Sequence, residues 1–339
     1  RRIDNKRYDN LFDLKTDINN LLFRSHGNLI ARKRRATPND IVEATNLILN
    51  LSFANITDLS NVSFNESTAS LNLSHNFLST FKDASKFQKL TALDLSYNRL
   101  IGEFHLSEIL LATLDLSRNS LTNFSCDGCK CLQTLNLSHN ALTKVSIDNL
   151  TSLQYLDLSA NLLDAIEPTL LRNKSNLSDL ILACNRIRVI NKDLLNQLGK
   201  LRRLDLSHND ISDVEGDAFS DLFNLQILDL SFNRIHIASL QTLQNIPQLN
   251  RLSLGGNAML RNALRAFAVT WSIMELDYSH VGLCQVPDSL AQSVRILNLY
   301  GNFLNVSNLR ECVCVIKQDV LISHCLICVL MLLQLHASR

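Results

Sequence analysis

Four histidines at one recurring place in this chain each follow a serine: Ser74-His75, Ser138-His139, Ser207-His208 and Ser279-His280. Serine beside histidine is the raw material of nucleophilic catalysis. That chemistry also needs a third group to orient the base, and none accompanies these pairs. The same two places are filled elsewhere by Ser96-Tyr97, Ser117-Arg118 and Ser231-Phe232, so the pairing comes from a repeat and no catalytic residue is predicted. Nine cysteines are present: Cys126, Cys129, Cys131, Cys184, Cys284, Cys312, Cys314, Cys325 and Cys328. The run Cys126-x-x-Cys129-x-Cys131 is compatible with zinc or redox chemistry. No histidine pair at metal-site spacing completes it. A local disulfide in a turn, or ordinary small buried residues, is expected instead, with no metal and no cofactor. The odd count leaves at least one cysteine unpaired within the chain.

The element that positions these residues is a repeat. The phrase LxxLxLxxNxL recurs twelve times, in units starting near 46, 68, 90, 111, 132, 153, 177, 201, 225, 249, 273 and 294. The fourth position is Leu in all twelve units and the sixth in eleven, with Tyr278 the exception. Alternating LxL marks a short strand with one buried face. A strand this short cannot bury its leucines alone, so the units must stack into a parallel sheet over a continuous core. The ninth position is Asn in ten units: Asn76, Asn98, Asn119, Asn140, Asn161, Asn185, Asn209, Asn233, Asn257 and Asn302. Ala54 and Val281 break the series. An amide carries both donors and an acceptor, so these side chains are expected to form a ladder that satisfies the turn peptides. Spacings of 21 and 22 residues give way to 24 from residue 153, where a change of curvature is expected and a partner would be sought first.

The phrase, its periods and the apolar Phe219 position resemble the leucine-rich-repeat family, over about three quarters of the chain. The 24-residue units resemble the extracellular "typical" class of Toll-type receptor ectodomains, slit-like proteins and insect adhesion proteins. The resemblance implies an α/β-type repeat solenoid: a curved horseshoe with a parallel β-sheet on its concave face and mostly irregular or short helical convex segments. It implies partner binding but does not fix a ligand.

Second, third, fifth, seventh and eighth positions point away from the leucines. The fifth is Asp or Asn in ten units and the seventh mostly Ser, so specificity is expected at the third and eighth. Candidates for a partner-binding patch are Tyr97, Arg118, His139, Tyr155, Arg202, Arg203, His208, Ile227, Phe232 and Arg251. Aromatic and arginine side chains are the anchor types that protein interfaces use. The same residues also fit a solvated sheet face.

The flanks depart from the repeat. Residues 1–45 hold a basic, amphipathic stretch with the spacing of one helix, followed by the basic run 32–35, read as a solvated loop in preference to a processing site. The array spans 46–307. Residues 308–339 read as an atypical or truncated cap. Cys312-Val-Cys314 is similar to the start of the family's disulfide cap, and the apolar stretch 320–335 follows. That stretch fits a short membrane span, a lipid-anchor signal or a truncated cap. A net charge of +1 gives no pull toward nucleic acid. Glycosylation acceptors are read at Asn55, Asn61, Asn65, Asn123, Asn149, Asn173 and Asn305. They favour an extracellular or cell-surface module that binds a protein, or a glycan, over an intracellular scaffold that binds a regulatory protein. Membrane attachment and oligomeric state are left open.

Overall fold

The computed structural model describes residues 48–304 and 321–323, apart from 61, 63, 65–66, 82–86, 88, 108, 128, 237–242, 244–245, 262–272 and 285–293. The chain divides into two compact units, Arg1–Asp40 and Ile41–Arg339, and every described residue belongs to the second. The expected N-terminal helix, the basic run, Cys312, Cys314, Cys325, Cys328 and most of the apolar stretch 320–335 lie outside the described residues.

The second unit is a parallel β-solenoid. Thirteen strands form one sheet in chain order, from Ile48–Asn50 to Leu321–Ser323. Its register is the one the repeat dictates. Leu49 faces Leu71, Leu71 faces Leu93, and so on through Leu114, Leu135, Leu156, Leu180, Leu204, Leu228, Leu252 and Leu276 to Leu297. From Leu71 to Leu299, no leucine at a fourth or sixth position is more than 2% exposed. Each contributes about 1.5–3 kcal/mol of burial, so the column of leucines is the main force holding neighbouring coils together. The thirteenth strand adds one strand to the twelve read from the phrase, with Ile322 opposite Leu297. It lacks the LxL signature, which hid it.

The opposite side changes character with the repeat length. Residues 101–146 carry a second parallel sheet, made of Ile101–Ser107, Ser120–Asp127 and Lys144–Ser146. Here the expected irregular or helical segments are replaced by strand. A coil of 21 residues closes with fewer residues than one of 24, and extended backbone covers more distance per residue than helix. Inside this sheet a column of phenylalanines fills the core. Phe81 and Phe104 lie 6.5 Å apart, and Phe104 and Phe124 lie 6.4 Å apart. Beyond residue 153 the described residues outside the main sheet include turns, the four-residue helix Pro168–Leu171, the 3-10 helix Ala258–Leu260 and a two-residue pairing of Val189–Ile190 with Asp213–Val214. There the expectation of irregular and short helical segments is met. Lys174 occupies the buried place that Leu198 and Leu222 hold in the next two coils. Its Nζ donates to the carbonyls of Asp148 (3.2 Å) and Arg172 (3.1 Å), while burial lowers its pKa.

The asparagine ladder has one geometry throughout. Asn209 Nδ2 donates to Leu206 O (3.1 Å) and Ser207 O (3.1 Å) in its own coil, and to Leu182 O (3.0 Å) in the coil before. Its Oδ1 accepts the N–H of Ile187, also in the preceding coil, at 3.0 Å. Asn98, Asn119, Asn140, Asn161, Asn185, Asn233 and Asn257 repeat the pattern. Where the series breaks, the following asparagine does extra work. Asn76 Oδ1 accepts both Ala54 N–H and Ile56 N–H. Asn302 Oδ1 accepts both Val281 N–H and Leu283 N–H.

Candidate binding surface on the strand face

The eighth position of every unit is left-handed. Ten non-glycine residues hold φ between 53° and 57°: Phe53, His75, Tyr97, Arg118, His139, Ala160, Cys184, His208, Phe232 and His280. Gly256 and Gly301 fill the other two units, with φ of 73° and 72°. For an L-residue this conformation costs about 1–2 kcal/mol. It is offset by a bond at each of the eleven junctions, where the N–H of the eighth residue donates to the seventh-position carbonyl of the next coil at 2.7–3.2 Å.

This repeated turn lines up the eighth-position side chains at the sheet spacing. Phe53 and His75 stack at 4.1 Å and 11° between planes, and His75 and Tyr97 at 4.1 Å and 16°. The Arg118 guanidinium lies over Tyr97 at 5.0 Å, and its Nη2 is 3.4 Å from His139 Nε2. Five consecutive coils thus carry one continuous ridge. Ala160 and Cys184 interrupt it. It resumes with His208 and Phe232, stacked at 4.3 Å and 9°. Phe232 in turn lies over Gly256, where a Cβ would fall 2.6 Å from the ring. Glycine at the eighth position therefore makes a seat for the preceding ring. Ring faces are spent on each other, a gain of about 0.5–1.5 kcal/mol per pair. Ring edges remain open, with Tyr97 43% and Phe232 44% exposed.

The third positions make a second row. Tyr155, Asp179, Arg203, Ile227, Arg251 and Glu275 stand opposite one another on successive strands. Arg251 Nη2 pairs with Glu275 Oε2 at 2.6 Å, and Arg203 Nη2 lies 3.9 Å from Asp205 Oδ2. Tyr155 Oη is 3.4 Å from Asp157 Oδ2, and burial followed by the carboxylate's charge raises its pKa. Of the sequence candidates, Arg203, Ile227 and Arg251 come together in this row. Arg202 is exposed one residue before Arg203. His208 and Phe232 stack at the other end of the same strands. Tyr97, Arg118 and His139 belong to the separate ridge of the earlier coils. Asp179, Glu275 and Phe53 were missed as site residues. Register arithmetic places all three, but a search for aromatic and arginine anchors passes over acids, and Ala54 obscures the first unit.

The fifth positions make a row of half-buried carboxylates and amides. Burial, and then the charge of Asp94, pushes Asp115 up to about 6, and burial with Asp205 pushes Asp229 up to about 6. The seventh-position serines, expected on the surface, are covered: Ser74, Ser138, Ser207 and five others are at most 8% exposed. Five of their hydroxyls, those of Ser74, Ser138, Ser159, Ser207 and Ser231, donate to the fifth residue, as in Ser74 to Asn72 Oδ1 (2.7 Å), Ser138 to Asn136 Oδ1 (2.8 Å) and Ser207 to Asp205 Oδ1 (2.7 Å). In those three Ser–His pairs the hydroxyl proton is committed to a residue other than the histidine.

Cys126 and Cys129 are joined in a disulfide, with Cα atoms 5.9 Å apart, and both are buried. Cys131, Cys184 and Cys284 are exposed. No cluster of metal-ligating side chains is found among the described residues. Asn55, Asn149 and Asn173 are exposed, whereas Asn123 is half-buried and donates to Glu103 Oε1 at 3.3 Å. Asn61, Asn65 and Asn305 lie outside the described residues. No described helix is long and apolar enough to cross a membrane.

Family models described as leucine-rich repeats match residues 88–103, 131–153, 151–211 and 199–259. No curated protein matches in sequence. Among solved structures, Toll in the Drosophila Toll–Spatzle complex is 20% identical, with a TM-score of 0.54 over 73% of this chain and 38% of that one. The functional domain of InlJ from Listeria monocytogenes is 21% identical, with a TM-score of 0.53 over 75% of this chain and 54% of that one. The chain thus spans about two fifths and about half the length of these two neighbours, and at such identities the likeness is one of fold. With the twelve-fold phrase, the strand register and the asparagine ladder, these matches show leucine-rich repeats over residues 88–103 and 131–259, and the second unit has the fold of a curved leucine-rich-repeat solenoid.

Proposed function

We propose that the array is a non-enzymatic, secreted or cell-surface module that holds a protein partner against its strand face, in adhesion, immune recognition or receptor signalling. The observation that carries this reading is the juxtaposition in the middle coils. Arg203, Ile227 and Arg251 stand opposite one another, bounded by Asp179 and Glu275, and His208 stacked on Phe232 closes the other end of the same strands. An apolar centre with arginine and aromatic anchors and a charged border is the make-up of a protein-binding hot spot. The complex of Toll with Spatzle is an instance of a protein partner held by a protein of this fold. Phe232→Ala and Arg203→Ala are each expected to weaken a captured partner by about tenfold without altering the fold. Undiminished capture by both variants would remove the patch. The acceptor asparagines support the secreted setting over an intracellular scaffold. Protein from a eukaryotic secretory host should lose mass on glycosidase treatment, and an unchanged intact mass would favour the scaffold.

A further inference from the structure

We propose that the edge beside the strand face holds an acidic sugar unit, in a pocket between Arg188, Asp210, Ser212 and Arg234. The pocket has a volume of about 380 Å³. That is at the small end of the range for organic ligands, about 300–1,000 Å³, and more than a bare oxyanion fills. Its walls come from three successive coils and rest on regular backbone. Arg188 and Ser212 immediately precede the paired strands Val189–Ile190 and Asp213–Val214, and Ser212 N–H donates to Arg188 O at 3.0 Å. Asp210 and Arg234 are equivalent tenth positions, with their N–H groups bonded to Ile187 O (3.0 Å) and Ile211 O (2.9 Å). The pocket borders the partner-binding face without belonging to it, since His208 and Phe232 lie two residues earlier on the same coils.

The chemistry of the lining selects the ligand. Two guanidiniums line the pocket beside the Asp210 carboxylate, and the Asp213 carboxylate stands next to Ser212. Arg234 Nη2 is held on Asp210 Oδ1 at 2.7 Å. Arg188 has no ion pair among the described residues, so its planar fork is available for two parallel bonds to an oxyanion. Ser212 donates its proton to Asp213 Oδ2 at 2.7 Å. Asp210 supplies acceptor capacity. One oxyanion-binding fork beside an acceptor for hydroxyl donors, with no apolar residue in the lining, matches a sugar ring bearing a carboxylate or a sulfate. A bare anion leaves the acceptor unused.

The test is calorimetric titration of the full chain with three probes: a sulfated, uronate-containing disaccharide, the same disaccharide with its acids removed or esterified, and inorganic sulfate. One saturable site is expected for the first, with at least about tenfold weaker binding of the other two. Arg188→Ala should weaken the acidic disaccharide by about tenfold or more, Arg188→Lys by less, since it keeps the charge and loses the fork. Lys144→Ala, on the convex strand, removes the same charge elsewhere and should change nothing. Absence of saturable binding, equal affinity for inorganic sulfate, or indifference to Arg188→Ala would each overturn the assignment.

Discussion

Replacing Asn209 with alanine tests the ladder where it is most regular, and the structure allows the loss to be apportioned. Asn209 makes four hydrogen bonds, but their partners are not equally exposed to its removal. Leu182 O keeps Asn185 Nδ2 at 3.1 Å, Leu206 O keeps Asn233 Nδ2 at 2.9 Å, and Ser207 O keeps Cys184 N–H at 2.9 Å. Only the N–H of the buried Ile187 loses the bond that Asn209 supplied, and an orphaned buried donor costs about 1–3 kcal/mol. With the packing of the amide itself, Asn209→Ala is expected to lose about 2–4 kcal/mol. Asn209→Asp separates donor from acceptor. It keeps an oxygen for Ile187 but sets a second one against three carbonyl oxygens at 3.0–3.1 Å. At pH 7 it should be less stable than Asn209→Ala. The introduced carboxyl would have a folded pKa raised above its unfolded value, so its penalty is small below about pH 4 and grows as pH rises through the folded pKa. Urea midpoints at pH 5 and pH 7, with the m-value checked for constancy, measure both effects. Amide exchange at Ile187 locates them. A loss under about 0.5 kcal/mol for Asn209→Ala, or an Asn209→Asp protein as stable as Asn209→Ala at pH 7, would refute the reasoning.

Three other outcomes are expected. Asp229→Asn should raise stability at pH 7 and flatten the pH profile. The folded pKa of Asp229 is about 6 against an ordinary 3.8, so its contribution is present below about pH 4 and lost as pH rises through 6. Asn136 already makes the same bonds to Ser138 that Asp229 makes to Ser231, so the substitution keeps the geometry. Thermal melts from pH 4 to pH 8 check the sign. Tyr278→Phe should be neutral or stabilising by up to about 1–3 kcal/mol, because Tyr278 Oη is buried with no partner among the described residues. A lower midpoint in urea would reveal a bond for that hydroxyl. Gly256→Ala should destabilise by more than about 1 kcal/mol, since its φ is 73° and a Cβ would strike the Phe232 ring. In a Phe232→Trp background, Gly256→Ala should then leave the indole more accessible to quenching from solvent.

The parts of the fold that were legible in the sequence are those built from one residue type for one physical reason. Leucine at the fourth and sixth positions can only be a buried strand face, so the register of all twelve coils followed from counting. Asparagine at the ninth can only be a turn amide with donors and an acceptor to place. The second sheet at residues 101–146 was not legible, because IGEFHLS and SLTNFSCD each depart from clean alternation and the pairing between them shifts at Gly102/Glu103. The last strand, Leu321–Ser323, was hidden for a related reason: the single isoleucine opposite Leu297 carries no phrase.

The binding surface divides along the same line, and the division bears on where specificity is written. Which residues share a row was readable, since third positions face third positions and eighth positions face eighth. What the residues in a row do to one another was not. Eighth-position residues as different as Phe53, His75, Tyr97 and Arg118 read as a list of unrelated choices until the left-handed turn sets them about one sheet spacing apart and face to face. In that geometry each residue's neighbours are fixed by the backbone, so a flat side chain at one coil favours a flat or planar one at the next. A small residue breaks the ridge, as Ala160 does. Choice at the eighth position is thus coupled along the array, whereas choice at the third is limited mainly by charge pairing such as Arg251 with Glu275. A change of partner is therefore reached most readily through the third positions of the middle coils. Any change at Tyr97 must also satisfy His75 and Arg118, which make contact with its ring on either side.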